Sequence, residues 1–148
     1  MAIASCLVDT NILLRISRRS DPQYQLVDSA LAKLALAGTT LHFTHQNIAE
    51  LWNAMTRPVN RNGFGLTATE AERQVRVIET GMSLLSDSEA VYRERRRIVV
   101  QHAVSGVQVH DARLVAAMHV HGVSDILTLN VTDFDRYSGI TAAHPSAV

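Results

Sequence analysis

An α/β domain built on a mostly parallel sheet of five strands is the fold class the sequence predicts, and three observations carry it. Short β-rich runs alternate with longer helical ones along the chain, as expected of strands joined by crossover helices. Helix-start and helix-stop signals fall between those runs. The chain has 148 residues, 47% of them hydrophobic and 19% charged, which describes a packed globule able to bury roughly two-thirds of the surface its unfolded form exposes.

The first strand is expected at 5–8 and runs straight into the polar turn Asp9-Thr10-Asn11, ahead of a helix beginning near Ile12. A helix over 24–37 follows, closed by Gly38 in a left-handed cap. The second strand is expected at 41–44, then a helix at 46–56 with the apolar stripe Ile48, Leu51, Trp52 and Met55. Residues 57–66 hold Pro58, Asn60, Asn62, Gly63 and Gly65 with no apolar period, so they read as an exposed loop. Thr67 stands three before Glu70 and Ser86 three before Glu89. Each pair predicts a capping box, opening helices at 67–80 and 87–103 around a strand at 82–85. A last helix at 111–121 ends at Gly122, and strands at 126–129 and 140–142 complete the sheet. Without repeats, low-complexity tracts or linkers, the chain is expected to form one domain over 1–148.

Lys+Arg 14 balance Asp+Glu 14, and the pI is about 7.1. A broadly basic nucleic-acid coat is thereby excluded, and any anionic partner must be met by locally gathered cations. Cys6 is the single cysteine. It rules out an intrachain disulfide framework and a cysteine-only zinc site, fits a reducing compartment and makes the cytoplasm the default location. No apolar run reaches the ~18 residues a membrane span needs, so no membrane partner is expected.

The acids carry the functional argument. Asp9 directly follows the first strand, and ligands of open parallel sheets gather beyond the carboxyl ends of strands; its alternative role is to cap the next helix. Asn130, Thr132 and Asp133 follow the fourth strand, so the two clusters meet if those strands are neighbours. Asp125 precedes that strand and belongs at the opposite edge. Asp111 opens a helix whose apolar residues Leu114, Val115 and Met118 lie three, four and seven positions on, which turns the carboxylate toward the buried face; capping is again the alternative. On a helical wheel Glu50 lies opposite its helix's apolar stripe, beside Asn47 and Ala54, and reads by itself as a solvated glutamate. The histidines form no rival metal site: His119 and His121 diverge on their helix, and His42 and His45 have no companion cysteines. His110 stands beside Asp111.

Together these positions resemble the PIN domain, and more narrowly the VapC-type ribonuclease toxins of bacterial toxin–antitoxin pairs. The run Leu7-Val8-Asp9-Thr10-Asn11-Ile12-Leu13-Leu14 resembles the family's opening strand and acidic turn. Thr44, six residues before Glu50-Leu51, resembles its second motif. Asp111 with Leu114, Ala117, Gly122, Leu127, Thr128, Asn130, Asp133 and Phe134 resembles the later motifs in order and spacing. The resemblance spans essentially the whole chain and implies a three-layer α/β/α PIN-like fold.

It further implies that Asp9, Glu50, Asp111 and Asp133 are catalytic. Asp9 and Asp111 would hold the metal, with Glu50 and Asp133 either beside it or on a second ion. Asn11, Thr44, Thr128 and Asn130 support them; Asn130 stands where many relatives have an acid. Two carboxylates ~4 Å apart repel by about 4 kcal/mol at an effective dielectric near 20, so converging acids need a cation. Oxygen ligands select Mg²⁺ or Mn²⁺. The expected reaction is hydrolysis of an RNA phosphodiester by metal-activated water, leaving a 5′-phosphate and a 3′-hydroxyl.

Arg15, Arg18 and Arg19 after the Asp9 turn, and Arg57 and Arg61 in the glycine-bearing loop, are candidate RNA contacts. Arg93, Arg95, Arg96 and Arg97 lie in one helix, and read either as a solvated face or as an RNA or antitoxin contact. The resemblance also implies a small cognate antitoxin gripped by a helical arm at about 67–103, and a homodimer. A phospho-accepting receiver domain or aspartate-nucleophile phosphatase fits less well. Both need a lysine past a later strand, whereas Lys33, the only lysine, lies in an early helix; the phosphatase also needs an acid where Asn11 stands. The remaining alternatives are a PIN-type module that binds RNA or a partner without cutting, and a housekeeping RNA-processing nuclease.

Overall fold

The computed structural model describes residues 3–148. In chain order it contains β1 (Ser5–Val8), α1 (Thr10–Ile16), α2 (Tyr24–Leu36), β2 (Thr40–Thr44), α3 (His45–Thr56), α4 (Ala68–Gly81), β3 (Ser83–Leu85), α5 (Glu89–Gln101), α6 (Val109–His121), β4 (Asp125–Leu127) and β5 (Thr141–Ala143). Short 3-10 turns occupy Val59–Arg61, Gly106–Gln108, Val131–Phe134 and Pro145–Ala147.

The five strands form one sheet in the order β3-β2-β1-β4-β5, and every pairing is parallel. Side chains alternate across a strand, and β1 shows the consequence. Cys6 and Val8 enter a core with Ile12, Leu13, Val27, Leu51, Met55, Val75 and Ile78, from α1 to α4. Leu7 enters the other, with Val91, Ile98, Leu114, Val115 and Met118 from α5 and α6. The result is the three-layer α/β/α arrangement. Burial shuts Cys6 out of solvent chemistry, pushing its thiol up to about 12.

Several boundaries differ from the sequence-based expectation, each for a local reason. α1 opens at Thr10 rather than near Ile12, because the Asp9 carboxylate accepts the Thr10 N–H. β4 ends at Leu127, two residues early: Thr128 turns its hydroxyl to Asp9, and the Asn130 N–H folds back onto that hydroxyl. The Thr67–Glu70 capping box is present, but Ser86 and Glu89 do not form one. Ser88 caps α5 by accepting the Val91 N–H, while His121 bonds the Ser86 carbonyl. Within the 57–66 loop, a Cβ on Gly63 would stand 1.9 Å from the Arg57 carbonyl oxygen, so the close approach that shuts the loop requires glycine there.

After β3 the chain returns to the far side of β1, so connections diverge in opposite directions from β1 and β4. That switch point opens a crevice at the carboxyl ends of these two strands. α6 leads directly into β4 and therefore starts at the same end of the sheet. The β1 and β4 turns and the first turn of α6 thus converge.

Candidate active site

Asp9 follows β1 directly at this switch point and is 8% exposed. Its backbone N–H donates to the Leu127 carbonyl at 3.0 Å, continuing the β1–β4 ladder by one residue. One carboxylate oxygen accepts the Thr10 N–H at 2.7 Å; the other accepts the Thr128 hydroxyl at 2.7 Å and the Asn11 Nδ2 at 3.3 Å. Asp9 is therefore a helix cap as well as a candidate site carboxylate. Asn11 fastens the two turns together: Nδ2 also reaches Thr128 Oγ1 at 3.2 Å, and Oδ1 accepts the Leu129 N–H at 3.1 Å.

Glu50 is half-buried, where the wheel alone predicted a solvated side chain. Oε2 accepts the Thr10 hydroxyl and Oε1 the Gln46 Nε2, both at 2.7 Å. The positioning begins at Thr44, whose capping box with Asn47 starts α3. Asn47 and Ala54, the neighbours of Glu50 on that side of the wheel, are buried, Asn47 fully. From there Asn47 Nδ2 donates to Thr10 Oγ1 at 3.0 Å, directing that hydroxyl's proton toward Glu50. Gln46 Nε2 additionally donates to the His110 carbonyl at 2.9 Å, tying α3 to the residue before Asp111. Gln46 Oε1 is buried without a partner.

Asp111 lies in the first turn of α6, half-buried. Asp133 lies in the exposed 3-10 turn after β4. The charges of the neighbouring acids act on Asp111 and on Asp9. Burial first, then the charges of Asp9, Asp133 and Glu50, push the Asp111 carboxyl up to about 6. Burial also raises Asp9 despite the hydrogen bonds from Thr128 and Thr10, with Glu50 and Asp133 adding to the rise. Among the described residues, none of the four forms an ion pair with lysine or arginine. Asn130 is exposed, and its backbone N–H donates to Thr128 Oγ1 at 3.1 Å.

Among the described residues, no three acidic, histidine or cysteine side chains stand ready at ligand spacing. The donor set nonetheless suits a hard divalent cation. Mg²⁺ keeps several of its waters and takes only one or two carboxylates directly, so two carboxylates such as Asp9 and Asp111 would be enough to hold it. Bringing a dication among carboxylates already raised by burial and mutual repulsion relieves that repulsion.

The candidate RNA contacts differ in how free they are. Arg15 is spent on Asp21 at 2.9 Å. Arg57 Nη2 donates to the Asn62 carbonyl at 3.0 Å, holding its own loop. The Arg18 guanidinium lies 4.8 Å from the Phe64 ring centre. Arg19 and Arg61 are exposed. Sequence reasoning missed Thr10, Gln46 and Asn47 as supports for Glu50. Only Asn47 had a local signal, three residues after a capping threonine, and it was hidden because Glu or Gln is the usual partner there.

Fold and site define an α/β protein with an acid cluster at the switch point of a parallel sheet. The PIN domain family matches residues 6–140, and the chain belongs to that family. No curated protein matches it in sequence. Solved structures similar in fold include VapBC2 from Rickettsia felis bound to a promoter DNA fragment, at 12% identity and TM-score 0.68, covering 95% of this chain and 98% of that one. VapBC-1 from nontypeable Haemophilus influenzae has 15% identity and TM-score 0.67, with 96% and 98% covered. VapC20 of Mycobacterium tuberculosis, described as a sarcin-ricin loop cleaving toxin, has 16% identity and TM-score 0.63, with 82% and 86% covered.

Proposed function

We propose that this chain is a Mg²⁺- or Mn²⁺-dependent endoribonuclease, the toxin of a VapBC-type toxin–antitoxin pair. The observation that carries the reading is that the charges of Asp9, Asp133 and Glu50 all act on Asp111, while among the described residues no lysine or arginine is paired to any of the four. Such a cluster supports a divalent ion, which when bound neutralises phosphate charge and lowers the pKa of a water.

In this reading Asp9 and Asp111 are the residues that would hold the ion. Thr128 and Asn11 fix the Asp9 rotamer by filling one carboxylate oxygen, while the oxygen that accepts the Thr10 N–H keeps one lone pair. Glu50, aimed by Thr10 and Gln46, and Asp133 hold water near the phosphate or take a second ion. Asn130 offers a neutral amide at the rim. In-line attack by water on the phosphodiester then leaves a 5′-phosphate and a 3′-hydroxyl, with no part for the ribose 2′-hydroxyl. Arg19 and Arg61 are free for phosphate contact, whereas Arg15, Arg18 and Arg57 need to give up intramolecular contacts first.

A small antitoxin as partner is supported by the solved neighbours described as VapBC or toxin–antitoxin complexes, and residues 67–103 are proposed as the segment that grips it. Homodimer formation belongs to the same reading, and light scattering at micromolar concentration tests it. No helix among the described residues is long and apolar enough to cross a membrane, and the cytoplasm is the proposed location.

The deciding experiment is cleavage of structured RNA by wild type and Asp9→Asn, both freed of antitoxin, with Mg²⁺ or Mn²⁺ and with EDTA. The reading expects cutting by wild type with metal only, and a loss of about a hundred-fold or more in the variant. Equal activity in the two refutes the site. Recovery of a 2′,3′-cyclic phosphate refutes the mechanism, and RNA binding without cutting by wild type makes the chain a binding module.

A further inference from the structure

We propose that the RNA strand leaves the acid cluster over Arg113 and runs along α5, where Tyr92, Arg95 and Arg96 form its stacking and phosphate platform. The proposal rests on the ribonuclease reading for the identity of the occupant.

A cavity of about 370 Å³ opens beside Glu50, walled by Gln46, His45, His110 and Arg113. On the other side of Arg113 lies a second, of about 340 Å³, lined by Asp87, Tyr92 and Arg95. Arg113 lines both, so the two depressions adjoin at its side chain, one reaching Glu50 and the other α5. Its guanidinium is held there by Asp87 Oδ2 at 3.0 Å, an oxygen that also lies 3.9 Å from His45 Nδ1.

The arginine run of α5 divides in two. Arg93 is neutralised by Glu89 and Arg97 by Glu94, each at 2.6 Å. Neither Arg95 nor Arg96 has a carboxylate partner among the described residues. Their guanidinium carbons lie 5.3 and 6.0 Å from the Tyr92 ring centre, and Tyr92 is 47% exposed. Single-stranded nucleic acid is gripped by this combination: planar groups on which bases stack, interleaved with cations that reach the backbone. In a chain of zero net charge, two unneutralised guanidiniums around an exposed aromatic ring are a local cationic site rather than part of a general field. Adjacency to the Glu50 cavity favours an RNA strand over an acidic protein, since a strand cut at the acids must continue along one of the neighbouring grooves.

The test compares binding of a 20-nucleotide single-stranded RNA, by fluorescence anisotropy in Ca²⁺, across several salt concentrations. Arg95→Gln/Arg96→Gln is set against Arg93→Gln/Arg97→Gln, which removes the same number of charges from the same helix. The first pair is expected to weaken Kd about ten-fold and to flatten the slope of log K against log salt by about 1.4, the value for two lost phosphate contacts on a single strand. The second pair is expected to stay within about two-fold of wild type. Should the half-buried Arg95 be needed for folding, Tyr92→Leu and Arg96→Gln, both at exposed positions, give the same comparison singly. Equal effects of the two pairs, or none, overturn the platform. So does unchanged RNA binding with lost hold on the antitoxin, which assigns the surface to a protein. Wild-type cleavage is scored alongside: a silent enzyme whose RNA binding still depends on Arg95 and Arg96 refutes the nuclease reading and keeps the platform, while an active enzyme indifferent to them does the reverse.

Discussion

Thr10 Oγ1 donates to Glu50 Oε2 at 2.7 Å while accepting from Asn47 Nδ2 at 3.0 Å, so the residue after the β1 acid aims a carboxylate forty positions further along the chain. A hydroxyl that both receives and gives a hydrogen bond has a fixed proton direction. Glu50 is thereby steered from a helix face that would otherwise present it to solvent.

Replacing Thr10 by Val keeps the volume and removes the relay. The fully buried Asn47 amide then loses its acceptor, at a cost of about 1–3 kcal/mol in urea unfolding. RNA cleavage is expected to fall about ten-fold or more as Glu50 loosens, and Thr10→Ser to retain most of both. A Thr10→Val enzyme with wild-type rate would show that this contact does not aim the carboxylate.

Gln46 separates positioning from stability. Gln46→Met removes the hydrogen bonds to Glu50 and His110 but also an orphaned buried oxygen. Unfolding free energy should therefore change by less than about 1 kcal/mol, while activity drops about ten-fold. Parallel losses in stability and activity would make Gln46 a packing residue only.

Asp111 predicts a pH effect in metal-free protein. Its carboxyl is raised to about 6 by burial and by the neighbouring acids, against about 3.9 for an unfolded aspartate. An acid raised on folding contributes no penalty below the unfolded value and costs stability as pH climbs through the folded one. In EDTA, wild type should lose stability between about pH 4 and pH 6 relative to Asp111→Asn, by about 1–2 kcal/mol once solvent screening at a half-exposed site is allowed for. Urea midpoints taken across that range check it, and curves that stay parallel contradict it.

Glu94 predicts the opposite sign elsewhere. Arg97 first, and then His119 of α6, hold its carboxyl down to about 2. The contribution is present above the unfolded value near 4.3 and disappears as pH falls toward 2. Glu94→Gln should unfold at higher pH in an acid titration, with a difference of about 0.5–1 kcal/mol at neutral pH for this solvent-screened pair. Coincident acid titrations would remove Glu94 from the α5–α6 tie.

Much of this architecture is legible in the sequence because it depends on local signals. The Asp9 turn, the Thr67–Glu70 box and the caps at Gly38 and Gly122 are short-range chemistry, and the structure has each of them. The burial of Glu50 is not legible, since a wheel knows only its own helix, and the groups that draw Glu50 inward include Thr10 from α1. Nor is the division of the arginines visible in a linear reading. Whether Arg15 meets the Asp21 carboxylate or Arg95 meets the Tyr92 ring depends on rotamers and on neighbouring turns. The Ser88 cap shows the same limit, because two serines two residues apart offer equally good starts until His121 claims the Ser86 carbonyl.

Calorimetric titration of Mn²⁺ into wild type and into Asp9→Asn/Asp111→Asn, near pH 6 in buffers of different ionisation enthalpy, tests the central claim that these acids form a divalent-metal site. The account predicts saturable binding by wild type with release of protons, since Asp111 is partly protonated at that pH without metal, and no saturable binding by the double variant. Absence of binding by wild type, or equal binding by the two proteins, would contradict it.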